Sequence, residues 1–284
     1  ARKSTEGPEM IPAAFDFKRA GSAEEAIALL GEYGDEAKLL AGGHSLLPMM
    51  KLRLAVPTMV IDIGRVNDLA YVNDGGDHIA IGALTKHRAV ETNELLLAEC
   101  PILAHVASKV GDPQVRHRGT LGGSLAHSDP ASDLPAAVLA LGGTLVAQGP
   151  NGSREISATE FFTGYFESEL AEDEMLTEIR VPKSPGASWN YQKFNRRAQD
   201  WAIVGVAAVQ VAGATNVALV NMGSTPVRAS AVEAALAGGS SAVDAAEHAA
   251  DGTDAPTDLN AGPEYREHLA RILTKRALEA SGVA

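Results

Sequence analysis

The sequence predicts an α+β chain, and three observations carry that reading. Its opening stretch alternates helix and strand patterns, short strands then gather around a glycine-rich hairpin signal, and the last third starts with strands and ends in helices.

Ser22-Ala-Glu-Glu25 reads as a capping box, and Ala26, Ile27, Leu29, Leu30 and Tyr33 recur behind it at helical spacing. Gly34 stops that helix. Lys38 to Ala41 is a short apolar strand, Gly42-Gly43 a turn, and His44-Ser45 the start of a helix with Ser45 as N-cap and Pro48 in the first turn. Met59 to Ile63 closes a β-α-β unit, which leaves the glycine turn at a strand's carboxyl end, where α/β sheets bind ligands.

From Leu69 to Leu84 short strands flank the hairpin signal Asn73-Asp-Gly-Gly76. Thr85 caps a helical region that runs to Gly111 and is interrupted at Pro101; Asp112 to His117 is polar and turn-rich. The second glycine turn, Gly119-Thr-Leu-Gly-Gly-Ser124, follows. Leu134 to Leu141 is an apolar helix capped by Ser132 or Asp133 and stopped by Gly142-Gly143. Strands at Thr144 to Ala147 and Glu174 to Val181 bracket a second capping box, Ser157-Ala-Thr-Glu160. Pro182 to Gly186 reads as a linker. Beyond it lie three antiparallel strands, Trp189 to Phe194, Ala202 to Val211 and Asn216 to Met222. Helices follow, the last from Pro263 to Ala280, and the Ala-, Gly-, Asp- and Ser-rich stretch from Gly238 to Gly262 is expected to be loosely ordered in part.

A strand running through paired glycines into a helix exposes backbone N–H groups, and missing Cβ atoms allow close approach of an anion. Either glycine pair alone is an ordinary turn. Two of them, each between a strand and a polar helix start, suit the two halves of a pyrophosphate and so a ligand of dinucleotide size. The net charge of −12 argues against nucleic acid, so phosphate would be met by backbone donors and a few placed cations.

The single cysteine, Cys100, precedes Pro101 in an apolar setting and reads as a packing residue. This chain alone can ligate no iron–sulfur cluster or Cys-rich zinc site, and a reducing, cytoplasmic location fits. The longest apolar run, near Trp201 to Val211, is too short to span a membrane, and residues 1–9 read as a polar tail without signal-peptide order. His44 and His127 lie at no metal-binding spacing; His44 is better placed as a donor to phosphate. Asp129 and Asp133 read as a proline turn and a helix cap, and Tyr191, Phe194 and Trp201 as strand aromatics or neighbours of a flat ring.

Four segments together resemble a known family. They are Met10-Ile-Pro-Ala-Ala-Phe-Asp-Phe17, Ala41-Gly-Gly-His-Ser-Leu-Leu-Pro-Met-Met-Lys51, Gly119-Thr-Leu-Gly-Gly-Ser124 with Asp129-Pro130 and Asp133, and Tyr191-Gln-Lys-Phe-Asn-Arg-Arg197 with Asp200. In this order and spacing the chain is similar to the FAD-binding medium subunit of the molybdenum hydroxylases, of the carbon monoxide dehydrogenase type. The resemblance implies a two-subdomain FAD-binding domain of the vanillyl-alcohol-oxidase-like type over 10–182 (about 10–65 and 66–182). A small C-terminal α+β domain with a three-stranded antiparallel sheet would occupy 187–284.

The same resemblance implies FAD contacts at Ala41, Gly42, Gly43, His44, Ser45 and Leu46, at Thr120, Leu121, Gly122, Gly123 and Ser124, and at Asp133 and Lys193. It also implies partners: a small iron–sulfur subunit with [2Fe–2S] centres and a large subunit with the molybdenum cofactor, assembled as a dimer of heterotrimers. Electrons would pass from the iron–sulfur subunit to FAD and on to an external acceptor. The enzyme would be cytoplasmic, reaching the inner face of the membrane only through partners. The rival readings are a stand-alone flavin oxidoreductase acting on a small molecule, and a binding protein whose glycine turns are only structural.

Overall fold

The computed structural model describes residues 11–282; the tail expected at 1–9 lies outside the described residues. The chain opens with β1 (Asp16–Arg19), α1 (Ala23–Tyr33), β2 (Ala37–Leu40), α2 (Leu46–Lys51) and β3 (Met59–Asp62), whose strands form a parallel sheet in the order β1-β3-β2. The capping box forms in a shifted way. Ser22 Oγ accepts from Glu25 N, while Glu25 Oε2 accepts from the N–H of Gly21, one residue before the cap. Gly34 then ends α1 with φ of 57°, a left-handed value that glycine adopts without strain. Ala23, Ala26, Ile27 and Leu30 face the sheet and bury against Ile61 and Ile63. The sequence reading missed β1: its burial is mostly exposed, so it shows no clean alternation.

The second sheet holds β4 (Val72–Asp74) and β5 (His78–Gly82), the expected hairpin. Helices α3 (His87–Thr92), α4 (Glu94–Glu99) and α5 (Pro101–Ser108) follow, and Pro101 opens α5 at a position where its missing N–H costs nothing. Thr85 is not a cap: its hydroxyl donates to the Tyr71 carbonyl and accepts the Tyr71 N–H, tying the strand end instead. Residues Asp112 to His117 are not turn-rich loop but contain α6 (Pro113–Arg118), with Asp112 Oδ1 accepting from Val115 N and Pro113 at the first position.

Then come α7 (Leu121–His127), α8 (Asp133–Leu141), β6 (Thr144–Gly149), β7 (Gly152–Ser157), α9 (Ala158–Phe161), the small hairpin β8 (Phe162–Gly164) and β9 (Glu167–Ser168), and β10 (Met175–Pro182). The second sheet is antiparallel throughout, in the order β4-β5-β10-β6-β7.

The third sheet is four-stranded, which corrects the expected three: β11 (Trp189–Phe194), β12 (Val204–Val211), β13 (Ala214–Val220) and β14 (Val227–Arg228). Two residues pairing with Ala218 and Leu219 are too short to leave a periodic signal. Helices α10 (Ser230–Ala237), α11 (Ala242–Ala246) and α12 (Pro263–Ala280) cover one face. The stretch expected to be loose is largely built in. Ser241 caps α11, and Ala242, Ala245, Ala246, Ala249 and Ala255 are buried; small side chains there let helices approach closely.

Helix α8 explains how the sheets share a core. All nine of its residues are buried, because it lies between the second and third sheets; a helix apolar all round is one with no solvent face. Strand β12 shows the same logic in period two. Val204, Val206 and Ala208 pack under α12, and Ala207 and Val209 face the α8 core, so a continuous apolar run is buried on both sides.

Candidate functional site

Strands β2 and β3 run parallel, so both end at the same rim, and the first glycine turn leaves it directly. Gly43 has φ of 78°, a conformation that a side chain would strain. Ser45 occupies the cap position of α2 but has helical backbone and caps nothing with its hydroxyl, contrary to expectation. The consequence is a row of open donors. The N–H groups of Gly42, Gly43, His44, Ser45 and Leu46 pair with no acceptor among the described residues; the first bonded amide is Leu47, which donates to the Gly43 carbonyl.

The second glycine turn lies against the first. A Cβ on Gly42 would overlap the Arg118 carbonyl and come within 2.9 Å of the Gly119 Cα, so only glycine allows the two segments to touch. Here the sequence reading needs correction, because the second turn has spent all its donors from Leu121 to Ser124, leaving only the Thr120 N–H without an acceptor among the described residues. Leu121 N donates to Thr85 O, Gly122 N to Ala83 O, Gly123 N to Thr120 Oγ1 and Ser124 N to Thr120 O. A Cβ on Gly122 would lie 2.5 Å from that of Ala83, so this glycine serves packing against the second sheet and not an opening for phosphate.

Two cations that sequence reasoning missed stand beside the turns. Lys86 pairs backbone to backbone with Thr120 in an isolated bridge, is half-buried, and forms no ion pair among the described residues. Arg118, one residue before Gly119, is exposed and likewise unpaired among the described residues. Burial, and after it the Arg118 charge, pushes the Lys86 ammonium below its usual pKa, with Asp62 pulling the other way. Asp62 is already committed to Arg19 at 3.1 Å and to Gly64 N at 2.9 Å. Nothing local in the sequence marks Lys86; its place depends on the bridge between residues far apart in the chain.

His87 fills the space behind Gly119. Its N–H donates to the Gly119 carbonyl at 3.0 Å, and a Cβ on Gly119 would come within 2.6 Å of the imidazole. The ring is buried, and Nδ1 has no partner among the described residues. Burial, followed by His44, Lys86 and Arg116, pushes the imidazole pKa down to about 4, so it is neutral at pH 7.

Asp133 and Lys193 come together, but with each other. Lys193 Nζ lies 2.7 Å from Asp133 Oδ2 and donates to the Lys109 carbonyl at 3.1 Å, and the Tyr191 hydroxyl donates to Asp133 Oδ1 at 2.5 Å. Burial pushes the Asp133 carboxyl up, while Lys193 and Tyr191 hold it down; Tyr191 itself is pushed well above the usual tyrosine range by burial and that carboxylate. This cluster joins the head of α8 to β11 and ties the third sheet to the site. Ser124 Oγ and Ser132 Oγ, 2.9 Å apart, link it to the helix that leaves the second turn.

Beyond the far end of α7 a cleft of about 270 Å³ opens, lined by Asp129, Ala131, Arg196, Asp200, Trp201 and residues of the loops at the ends of β12 and β13 and before α12. Trp201 is 66% exposed and so is not the core aromatic that strand statistics suggest. Asn221 holds the walls: with φ of 62°, it donates its N–H to Pro130 O at 2.8 Å and its side-chain amide to Ala202 O at 2.9 Å. The fully buried Arg266 bonds the Ile203 carbonyl and lies 2.7 Å from Asp258 under the same cleft. His127, pushed down by burial, stacks on Phe166 at 5.0 Å.

Open backbone donors at parallel strand ends, flanked by unpaired cations and followed by a half-open cleft, define an α+β protein built for a long anionic ligand such as a dinucleotide. Residues 13–184 match the FAD binding domain in molybdopterin dehydrogenase, and residues 189–281 match the CO dehydrogenase flavoprotein C-terminal domain. The chain is 41% identical over 282 residues to the carbon monoxide dehydrogenase medium chain of Hydrogenophaga pseudoflava, covering 96% of this chain and 98% of that one. It is 35% identical to the glyceraldehyde dehydrogenase medium chain of Sulfolobus acidocaldarius, covering 95% and 99%. Its fold superposes on carbon monoxide dehydrogenase from H. pseudoflava with a TM-score of 0.92 (41% identity, 96% and 98% covered). The TM-score on quinoline 2-oxidoreductase from Pseudomonas putida 86 is 0.87 (30% identity, 95% and 98%). The chain belongs to the family of FAD-binding medium subunits of the molybdenum hydroxylases, and it is an oxidoreductase subunit.

Proposed function

We propose that this chain holds FAD with its pyrophosphate at the first glycine turn and its ring in the cleft beside Trp201, and serves as the electron-transfer subunit of a molybdenum hydroxylase. The observation that carries the placement is the row of five unpaired amides from Gly42 to Leu46. A folded chain leaves such donors open at a cost unless water or a ligand meets them, and oxygens of a phosphate meet several at once. Residues Ala41, Gly42, Gly43, His44, Ser45 and Leu46 form the floor. Thr120, Leu121, Gly122, Gly123 and Ser124 form the adjoining wall, which acts through shape, Thr120 alone keeping its amide open among the described residues.

Bound FAD supplies the capacity to take up electrons from a one-electron centre and release them to an acceptor. The protein's own residues do the rest. Trp201, Asp129, Arg196 and Asp200 surround the space for a flat ring, and Asn221 and Arg266 fix the loops that carry them. Asp133, Tyr191 and Lys193 hold the third sheet against α8 so that floor and cleft keep one spacing.

The subunit would receive electrons from a small subunit with [2Fe–2S] centres, while a large subunit with the molybdenum cofactor contacts the substrate. The assembly would be a dimer of heterotrimers in the cytoplasm, touching the inner face of the membrane only through partners. We divide the chain at 10–65, 66–182 and 187–284. The test is a visible spectrum and cofactor extraction on the purified chain, with pull-down from its host. FAD together with iron–sulfur and molybdenum partners supports the reading, FAD without partners favours a stand-alone flavoenzyme, and a colourless chain that takes up no FAD refutes it.

A further inference from the structure

We infer that Lys86, with Arg118 beside it, supplies the positive charge that holds the phosphates of the dinucleotide at the junction of the two glycine turns. The inference rests on the FAD placement proposed above and adds residues that none of the sequence motifs contain.

The argument starts from the asymmetry of the turns. The second turn has little to offer a phosphate, since Leu121, Gly122, Gly123 and Ser124 all donate internally and only the Thr120 N–H is left without an acceptor among the described residues. A pyrophosphate carries negative charge on both halves, and neutral amides alone leave much of it uncompensated. The chain as a whole is acidic, with 36 Asp and Glu against 24 Lys and Arg, so its average field repels such an anion. Compensation has to be local.

The bridge between Lys86 and Thr120 fixes the Lys86 backbone on the second turn, and the Gly42 contact fixes Arg118 on the first. Most acidic side chains near a basic one in this protein are used in ion pairs, such as Glu91 with Arg88 and Arg116, or Asp62 with Arg19. Lys86 and Arg118 are among the cations left without an ion pair among the described residues, and the Arg118 charge raises the cost of charging Lys86. Two like charges beside open donors, with Asp62, the carboxylate that acts on Lys86, already committed to Arg19 and Gly64, make a site that an anion completes.

The test is titration of the flavin-free full chain with FAD, riboflavin and ADP. Lys86→Gln should weaken FAD binding about tenfold or more and reduce its dependence on salt. Riboflavin, which has no phosphate, should bind the variant and the parent alike, and Lys86→Arg should restore most of the FAD affinity. Arg118→Gln, at an exposed position, should act in the same direction with a smaller change. FAD affinity in Lys86→Gln equal to that of the parent would overturn the inference, and so would an equal loss for FAD and riboflavin. If the parent itself binds no FAD, the flavin placement fails and takes this inference with it.

Discussion

His87 makes the folded chain sensitive to acid in a way that can be calculated. An unfolded histidine titrates near pH 6.5, whereas burial holds the folded ring down to about 4. With a depressed pKa the native state binds fewer protons than the unfolded chain, so stability rises with pH across this window. The contribution of the neutral ring is fully present above 6.5. It falls by about 2 kcal/mol by pH 5 and by about 3 kcal/mol once the pH reaches 4, after which it changes little.

Because Nδ1 has no partner among the described residues, replacing the ring with an apolar side chain of similar volume removes a titration without breaking a hydrogen bond there. The assay is urea unfolding of the parent and His87→Leu at pH 7.5, 6.5, 5.5 and 5. The two curves should be close at pH 7.5 and separate by about 2 kcal/mol at pH 5, with the variant the more stable. The ring also backs Gly119, so FAD release from the parent should follow the same acid limb. Parallel stability curves for parent and variant down to pH 5 would refute the reasoning.

The other expectations concern packing and pairing. Gly122→Ala places a methyl 2.5 Å from Ala83 Cβ and should cost about 1–3 kcal/mol in thermal or urea unfolding even without flavin; an unchanged melting point would contradict the packing role. Lys193→Met leaves the buried Asp133 carboxyl without its cation and should destabilise by about 3 kcal/mol, with part of the loss recovered in the Asp133→Asn, Lys193→Met double variant; additivity in that cycle would show the pair to be uncoupled. Cys100 is fully buried and its thiol is pushed up to about 12, so the native chain should show no reaction with a thiol reagent at pH 8 and one equivalent after unfolding.

What was legible in the sequence was whatever local spacing encodes. The first capping box, the Asp-Gly-Gly hairpin, the glycine turns and the long α12 all show their signals within a few residues of one another. The misses divide by cause. Asp112-Pro113 carries a cap-plus-proline helix signature in residues that also look like a turn, and only the structure shows that the helix won. Strand β14 and the mostly exposed β1 lack any period to read, and the Ala-rich stretch after Gly238 looks loose because small side chains pack tightly only when helices are already beside them.

The site divides the same way, and the division bears on what a motif means. Paired glycines mark where backbone can approach backbone, and at Gly42 and Gly122 the approaching backbone belongs to the protein itself. Whether a turn also presents donors depends on which carbonyls lie opposite, and those come from Ala83 and Thr85, nearly forty residues upstream of the second turn. The same long-range bridge that uses up those amides brings Lys86 to the turn. One contact therefore removes neutral donors and supplies a cation in their place. If that exchange is how an acidic protein holds a pyrophosphate, affinity for FAD should fall with added salt more steeply than amide contacts alone would allow. Salt-independent binding would return the whole task to the backbone of the first turn.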